Sequence, residues 1–110
     1  MEHGLKMKIY NKAIRDRIPE IIEAQGKDYN VVVLNDEDFL EAMEKKLEEE
    51  LEEYQKEKSV MELCDIIEVA MRIAELRNVP NEKLMRLRSQ KNLDRGSFKN
   101  NLFLISINDI

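Results

Sequence analysis

Residues 36–76 read DEDFLEAMEKKLEEELEEYQKEKSVMELCDIIEVAMRIAEL, and this stretch decides the fold. Its first half places apolar side chains at helical spacing, so that they share one face. These side chains are Leu40, Met43, Leu47, Leu51 and Tyr54. Asn35 and Asp36 precede the pattern and are suitable N-caps. The first half is therefore predicted to be a long amphipathic helix that ends near Gln55.

The second half is a more apolar helix, predicted from Ser59 to about Asn78. Ser59 and Glu62 have the spacing of a capping box, which is typical of a helix start. Residues 56–58 are expected to turn the chain, so that the two long helices form an antiparallel hairpin. Apolar residues cover more than half of the second helix, and one partner helix covers only part of that surface. This surplus predicts an oligomer, at least a homodimer.

Smaller elements are predicted around the hairpin. A short helix over residues 20–25 should follow Pro19, and a fourth helix should start at Pro80 and end before Gly96, because proline is favoured in the first helical turn. The β-branched run at 31–34 and the apolar run at 102–107 predict a minor two-stranded β ribbon packed on the helices. Only three glycines and two prolines occur, and 37% of the residues are charged. The predicted fold class is all-α, a helical bundle with a small ribbon.

Charge is unevenly distributed along the chain. Residues 36–76 carry five bases and fifteen acids, whereas residues 77–110 carry seven bases and three acids. The overall charge is −5, which argues against a general binder of nucleic-acid polymers or membrane surfaces. No transmembrane span or signal peptide is visible, and the single Cys64 excludes an intramolecular disulfide. We expect one cytoplasmic domain over residues 1–110, with residues 1–7 as a flexible tail.

Four acids on the hairpin form a candidate metal site. Glu50 and Glu53 lie on the edge of the apolar face of the first helix, and Glu62 and Asp65 lie on one stripe of the second. A turn centred between residues 57 and 58 would place Glu53 opposite Glu62 and Glu50 opposite Asp65. Three residues of helix rise about 4.5 Å, so four carboxylates would surround one small volume suited to Mg²⁺, with Mn²⁺ as a substitute.

Simpler interpretations of these acids stay open. Glu50 has Lys46 four residues earlier, and such a surface ion pair needs no metal. Glu62 is also explained by the capping box, and the acidic stripe by solvated charge. Arg15, Arg17, Lys91 and Arg95 are candidate phosphate-binding groups, or else surface charges that complement the acidic helices.

The acidic strings resemble a known signature. Glu49 to Glu53 (EELEE) followed by Glu62 to Asp65 (ELCD) is similar to the E-E-x-x-E … E-x-x-D pattern of the MazG-like all-α NTP pyrophosphohydrolases. Residues 10–22 (YNKAIRDRIPEII) resemble the opening of a small stand-alone, phosphoribosyl-ATP pyrophosphohydrolase-like branch, and residues 95–98 (RGSF) with Phe103 and Leu104 resemble its ending. Ser97 replaces a usual glycine, and only eight residues separate Glu53 from Glu62.

The resemblance implies an Mg²⁺-dependent nucleoside triphosphate pyrophosphohydrolase, in which activated water attacks the α-phosphorus and releases pyrophosphate and a nucleoside monophosphate. It implies Glu50, Glu53, Glu62 and Asp65 as metal ligands. Glu50, Glu53 and Asp65 would also carry catalysis, and the expected role is house-cleaning of nucleotides. It further implies dimers or dimers of dimers.

Two other functions stay open. One is phosphoribosyl-ATP hydrolysis. The other is a non-catalytic acidic helical module that dimerises or senses nucleotides.

Overall fold

The computed structural model describes residues 7–108 of the 110-residue chain. Within this range the chain forms four helices and no strand, which confirms the all-α prediction. The helices are α1 (Ile18–Ala24), α2 (Asp36–Glu57), α3 (Val60–Leu76) and α4 (Asn81–Arg95). The predicted flexibility of residues 1–7 concerns positions that, apart from Met7, lie outside the described part.

The α2–α3 hairpin begins at the predicted cap. The Asn35 side chain accepts a hydrogen bond from the Asp38 amide at 2.8 Å, which satisfies an amide of the first turn. At the other end of α2, Lys58 adopts a left-handed conformation with φ 56°, and its amide donates to the Tyr54 carbonyl. The chain therefore turns at residues 58 and 59, slightly later than expected.

Ser59 caps α3, but the predicted capping box with Glu62 does not form. The Ser59 hydroxyl accepts a hydrogen bond from the amide of Met61 at 3.2 Å, not from that of Glu62. The Glu62 amide instead donates to the backbone carbonyl of Ser59. The Glu62 side chain is consequently free to approach α2, which matters for the site described below.

The predicted β ribbon is wrong for this chain, because residues 31–34 and 102–107 form no strand. All of these residues are exposed. Two short strands are marginal alone and need a packed face to hold them. Here neither run is covered by the helices, so nothing stabilises their pairing.

The core lies between α2, α3 and the segment that precedes α1. Met43 of α2, Val69 of α3 and Ala13 are the buried hydrophobic residues of the described part. Five partly buried side chains pack against them: Phe39, Ala42, Leu47, Ile73 and Leu76. Of the predicted apolar face of α2, Met43 and Leu47 belong to this core, whereas Leu51 is exposed. Helix α4 contacts α3.

No helix in residues 7–108 is both long enough and apolar enough to cross a membrane.

The molecule is elongated, with principal extents of 78 × 31 × 25 Å and a radius of gyration of 19.7 Å. A compact domain of this length would have a radius of gyration of about 13 Å.

Candidate metal centre

Three of the four predicted metal ligands meet on the hairpin. Glu50 of α2 and Glu62 and Asp65 of α3 each bring one carboxylate oxygen into a group whose atoms all lie within 4.8 Å of one another. The meeting follows from the antiparallel hairpin, because Glu62 and Asp65 occupy successive turns of α3 beside the same part of α2. Such a group of oxygens matches the preference of Mg²⁺ for hard carboxylate ligands.

Glu50 is the most unusual member of the group. It is 7% exposed, which makes it the one buried charged residue of the described part. A carboxylate is costly to bury unless a cation or hydrogen bonds compensate for the lost water. The edge position predicted for Glu50 on the apolar face of α2 accounts for this burial.

Glu53, the fourth predicted ligand, belongs to a neighbouring group. Its carboxylate lies with those of Glu57 and Glu62, again with one oxygen of each within 4.8 Å of the others. Glu62 therefore belongs to both groups. The predicted approach of Glu53 to Glu62 is thus present, whereas Glu57, four residues later on the same helix, takes the place of Glu50 and Asp65 in its group. Sequence reasoning missed Glu57.

Basic side chains already contact the acids. Arg15 donates a hydrogen bond to Asp65 across 50 positions of sequence. The Lys46 ammonium lies 3.3 Å from Glu50, as the i,i+4 spacing predicted. These contacts place a positively charged side chain beside two of the three grouped carboxylates.

A further ion pair lies beside the group. Lys12 donates to Glu49 at 2.9 Å, and Lys46 lies 3.5 Å from the same carboxylate. Lys12 and Glu49 are 37 positions apart, so no local spacing could have revealed this pair. Together with Arg15, Lys12 fastens the segment before α1 to both helices of the hairpin.

The pKa values of two carboxyl groups near the centre are shifted in opposite directions. The pKa of Glu62 is raised above its ordinary 4.5, first by partial burial and then by hydrogen bonding to Glu50 and its negative charge. The charges of Asp65 and Glu57 add to this effect. The pKa of Glu49 is lowered below 4.5, chiefly by its hydrogen bond from Lys12. Glu62 therefore experiences a local excess of negative charge, whereas Glu49 does not.

A cavity of about 250 Å³ opens beside Glu50 and Asp65. Arg15 and Arg72 contribute positive charge to its wall, and Phe39 contributes an aromatic ring. The other lining residues are Ala13, Ile14, Asp16, Met43, Glu68 and Val69. The cavity therefore combines the acids with cationic and apolar surface. Sequence reasoning did not single out Arg72, although its position two turns after Asp65 on α3 was available as a signal.

The remaining basic candidates lie elsewhere. Lys91 and Arg95 are exposed on the last two turns of α4 and do not line this cavity. Arg17 pairs with its neighbour Glu20 at 2.7 Å. Within one copy of the chain, only Arg15 of the predicted phosphate-binding residues lies at the acidic group.

Comparison with known proteins does not assign this chain to a family, so its class is described from its fold and its candidate site. No family model matches the chain, and no curated protein or solved structure matches it either. The described residues define an all-helical protein whose long hairpin gathers carboxylates able to hold a metal ion. Its assignment to the MazG-like proteins stays a prediction from the sequence strings.

Proposed function

We propose that the chain is an Mg²⁺-dependent nucleoside triphosphate pyrophosphohydrolase of the MazG-like class, with a house-cleaning role on nucleotides. The observation that carries the proposal is the convergence of Glu50, Glu62 and Asp65 across the α2–α3 hairpin. The same residues belong to the strings that resemble the superfamily signature. The reaction proposed is attack of water at the α-phosphorus, which releases pyrophosphate and a nucleoside monophosphate.

The residues fit a divalent cation. The raised pKa of Glu62 reflects partial burial and crowded negative charge, and a cation held by Glu50, Glu62 and Asp65 would offset that charge. Glu53 would join from the adjoining group through Glu62. Mg²⁺, or Mn²⁺ in its place, would neutralise phosphate oxygens and lower the pKa of a coordinated water.

The cavity beside the acids supplies the substrate contacts of the proposal. Arg15 and Arg72 offer guanidinium groups, which match phosphate oxygens in geometry and charge. Phe39 and the neighbouring apolar side chains offer a surface for a nucleobase. Because Lys91 and Arg95 lie outside this cavity, we propose that they act on the acidic hairpin of a second copy.

The test is pyrophosphate release from a panel of nucleoside triphosphates, measured with and without Mg²⁺. We expect activity that requires the cation and falls at least about 100-fold in Glu50→Gln. Glu52→Gln is the matched control, because Glu52 is an exposed acid of the same helix that belongs to neither carboxylate group. Hydrolysis that survives Glu50→Gln, or that Glu52→Gln impairs equally, would contradict the assignment.

A second candidate function is favoured by the ion pairs themselves. Arg15–Asp65 and Lys46–Glu50 partly neutralise the acids without a metal. A non-catalytic helical module that dimerises or senses nucleotides would need no more than this. Absence of pyrophosphate release for every nucleotide tested, phosphoribosyl-ATP included, together with unchanged folding of Glu50→Gln, would favour this candidate.

A further inference from the structure

The segment after α4 exposes a concentrated apolar surface. Six large apolar side chains of residues 96–108 are each 73–98% exposed. They are Phe98, Leu102, Phe103, Leu104, Ile105 and Ile107. We call residues 96–108 the C-terminal arm. Contiguous apolar surface of this kind marks an interaction site, because isolated soluble chains do not normally expose it.

A second exposed apolar surface runs along α3. Its residues recur at helical spacing on the side of α3 that α2 does not cover, and all are exposed: Val60, Leu63, Cys64, Ile67 and Ala70. We call this set the α3 stripe. The side of α3 that carries Val69 is buried, so the stripe is the part of the apolar circumference that stays uncovered.

The accessible surface of the chain measures how much remains to be covered. It is 10613 Å², whereas a folded monomer of 13.0 kDa exposes about 6,300 Å². The excess is larger than the roughly 800 Å² that each partner loses in a standard interface, so enough exposed surface is present for a dimer contact.

The distribution of charge along the chain indicates which partner covers these surfaces. Residues 77–110, which include α4 and the arm, carry seven bases and three acids. Residues 36–76, which form the hairpin, carry five bases and fifteen acids. An arm exchanged between two copies related by a two-fold axis would therefore bring opposite charges together, and such complementarity favours this pairing over other partners.

We propose that the C-terminal arm is exchanged between two copies of this chain, and that each arm packs on the α3 stripe of the other copy. The apolar side chains of the arm cover the stripe, and the basic residues of α4 and the arm face the partner's acidic hairpin. The proposal concerns assembly and does not depend on the proposed hydrolysis.

Crosslinking tests the exchange directly, because Cys64 lies in the stripe and is the only cysteine. One variant combines Ser106→Cys with Cys64→Ser, and the other is the natural chain with a tag that changes its mass. The two are mixed, unfolded, refolded together and treated with a short bismaleimide. We expect a crosslinked product that contains one chain of each kind.

A matched experiment uses Ser106→Cys in the chain that keeps Cys64. The exchange predicts crosslinks between two chains, whereas an arm folded onto its own α3 gives only internal crosslinks at monomer mass. Internal crosslinks alone, or no crosslinked product in the mixture, would overturn the proposal.

Light scattering on the full chain provides an independent measurement. We expect a dimer of twice 13.0 kDa at micromolar concentration, weakened at least tenfold in affinity by Phe103→Asp. Asn100→Asp adds the same charge to the arm without removing apolar surface, and should weaken the dimer far less than Phe103→Asp does. A natural chain that is monomeric overturns the proposal. The same holds if the arm of that monomer becomes protected only when lipid vesicles or nucleic acid are added.

Discussion

At the scale of single residues, the candidate centre is a balance between acids and internal cations. Glu50 is buried beside Lys46, Asp65 is held by Arg15, and Glu62 receives no comparable cation among the described ion pairs. The raised pKa of Glu62 is consistent with that imbalance. A divalent cation would complete the neutralisation, which leads to three predictions about individual side chains.

The first residue prediction concerns metal binding and stability. Mg²⁺ or Mn²⁺ should raise the melting temperature, because a ligand that binds only the folded state stabilises it by about 2.7 kcal/mol at 100 times its dissociation constant. Asp65→Asn should reduce this rise, and Glu52→Gln should not. Melting curves recorded across a Mg²⁺ titration make the comparison, and unchanged curves up to tens of millimolar would count against the site.

The second residue prediction concerns pH. The folded-state pKa of Glu62 is raised, so the metal-free folded chain binds this proton more tightly than the unfolded chain does. The contribution of Glu62 to stability is therefore fully present below its ordinary pKa of 4.5 and is lost as the pH rises through the raised value. Glu62→Gln should stabilise the metal-free chain at neutral pH, and this gain should disappear in acid.

Glu49→Gln provides the opposite sign as a control. Its pKa is lowered by Lys12, so its stabilising effect is present above 4.5 and is lost as the pH falls through the lowered value. The substitution should cost about 0.2–1 kcal/mol at neutral pH, as for other surface ion pairs. Urea unfolding at several pH values measures the free energy of unfolding of both variants. If the difference from the natural chain changes with pH in the same direction for Glu62→Gln and Glu49→Gln, the assignment of charges is refuted.

The third residue prediction concerns Arg15, whose guanidinium is hydrogen-bonded to the Asp65 carboxylate in the metal-free chain. If the guanidinium and the metal compete for this carboxylate, Arg15→Gln should tighten Mg²⁺ binding about two- to five-fold, the equivalent of a surface pair. Calorimetric titration of the free protein measures this without any turnover. Weaker Mg²⁺ binding in Arg15→Gln would mean that Arg15 supports the arrangement of the ligands and does not compete with the metal.

At the scale of elements, the hairpin depends on its helix ends. The Asn35 cap satisfies a first-turn amide of α2, and acids at Asp36, Glu37 and Asp38 favour the same helix end through the helix dipole. The turn at Lys58 adopts positive φ, a conformation that is unfavourable for a side chain but allows α3 to return along α2. These ends determine which residues of the two helices face one another.

The prediction at this scale is that Asn35→Ala destabilises the protein by about 1 kcal/mol, because it removes the side-chain acceptor for the Asp38 amide. Asn35→Asp retains an acceptor and should stay within a few tenths of a kcal/mol of the natural chain. Denaturant unfolding at one fixed protein concentration compares them. Equal losses in both variants would show that the cap does not stabilise α2.

At the scale of the whole molecule, the described core is small for a chain of this length. Ala13, Met43 and Val69 are its buried hydrophobic residues, whereas the C-terminal arm and the α3 stripe are exposed. Stability is then expected to come largely from association. An obligate dimer has no stable folded monomer, so its unfolding depends on concentration.

The whole-molecule prediction follows from this dependence. The melting temperature should rise by several degrees when the protein concentration is raised from about one to about one hundred micromolar, by mass action. Phe103→Asp should lower the melting temperature most strongly at low concentration, whereas Asn100→Asp should lower it far less. A melting temperature independent of concentration would identify a chain that is stable as a monomer.

Local patterns in the sequence determined the helices and one cap. The apolar spacing of Met43 and Leu47 predicted part of the buried side of α2, and Asn35 predicted its start, because periodicity and capping involve residues within a few positions of one another. The edge position of Glu50 also followed from this spacing. The all-α fold was predicted from such local patterns. The approach of Glu50 to Asp65 was predicted from the same patterns with one added assumption, an antiparallel turn between the two helices.

Only the tertiary structure decided which side chains complete the site. Arg15–Asp65 and Lys12–Glu49 join residues 50 and 37 positions apart, so no local pattern contains them. The division of the acids into two groups, one with Glu50 and Asp65 and one with Glu53 and Glu57, likewise appears only when the two helices are packed together. The β-branched run at 31–34 failed to form a strand for the same kind of reason, since a strand depends on a distant partner and on the surface that covers it.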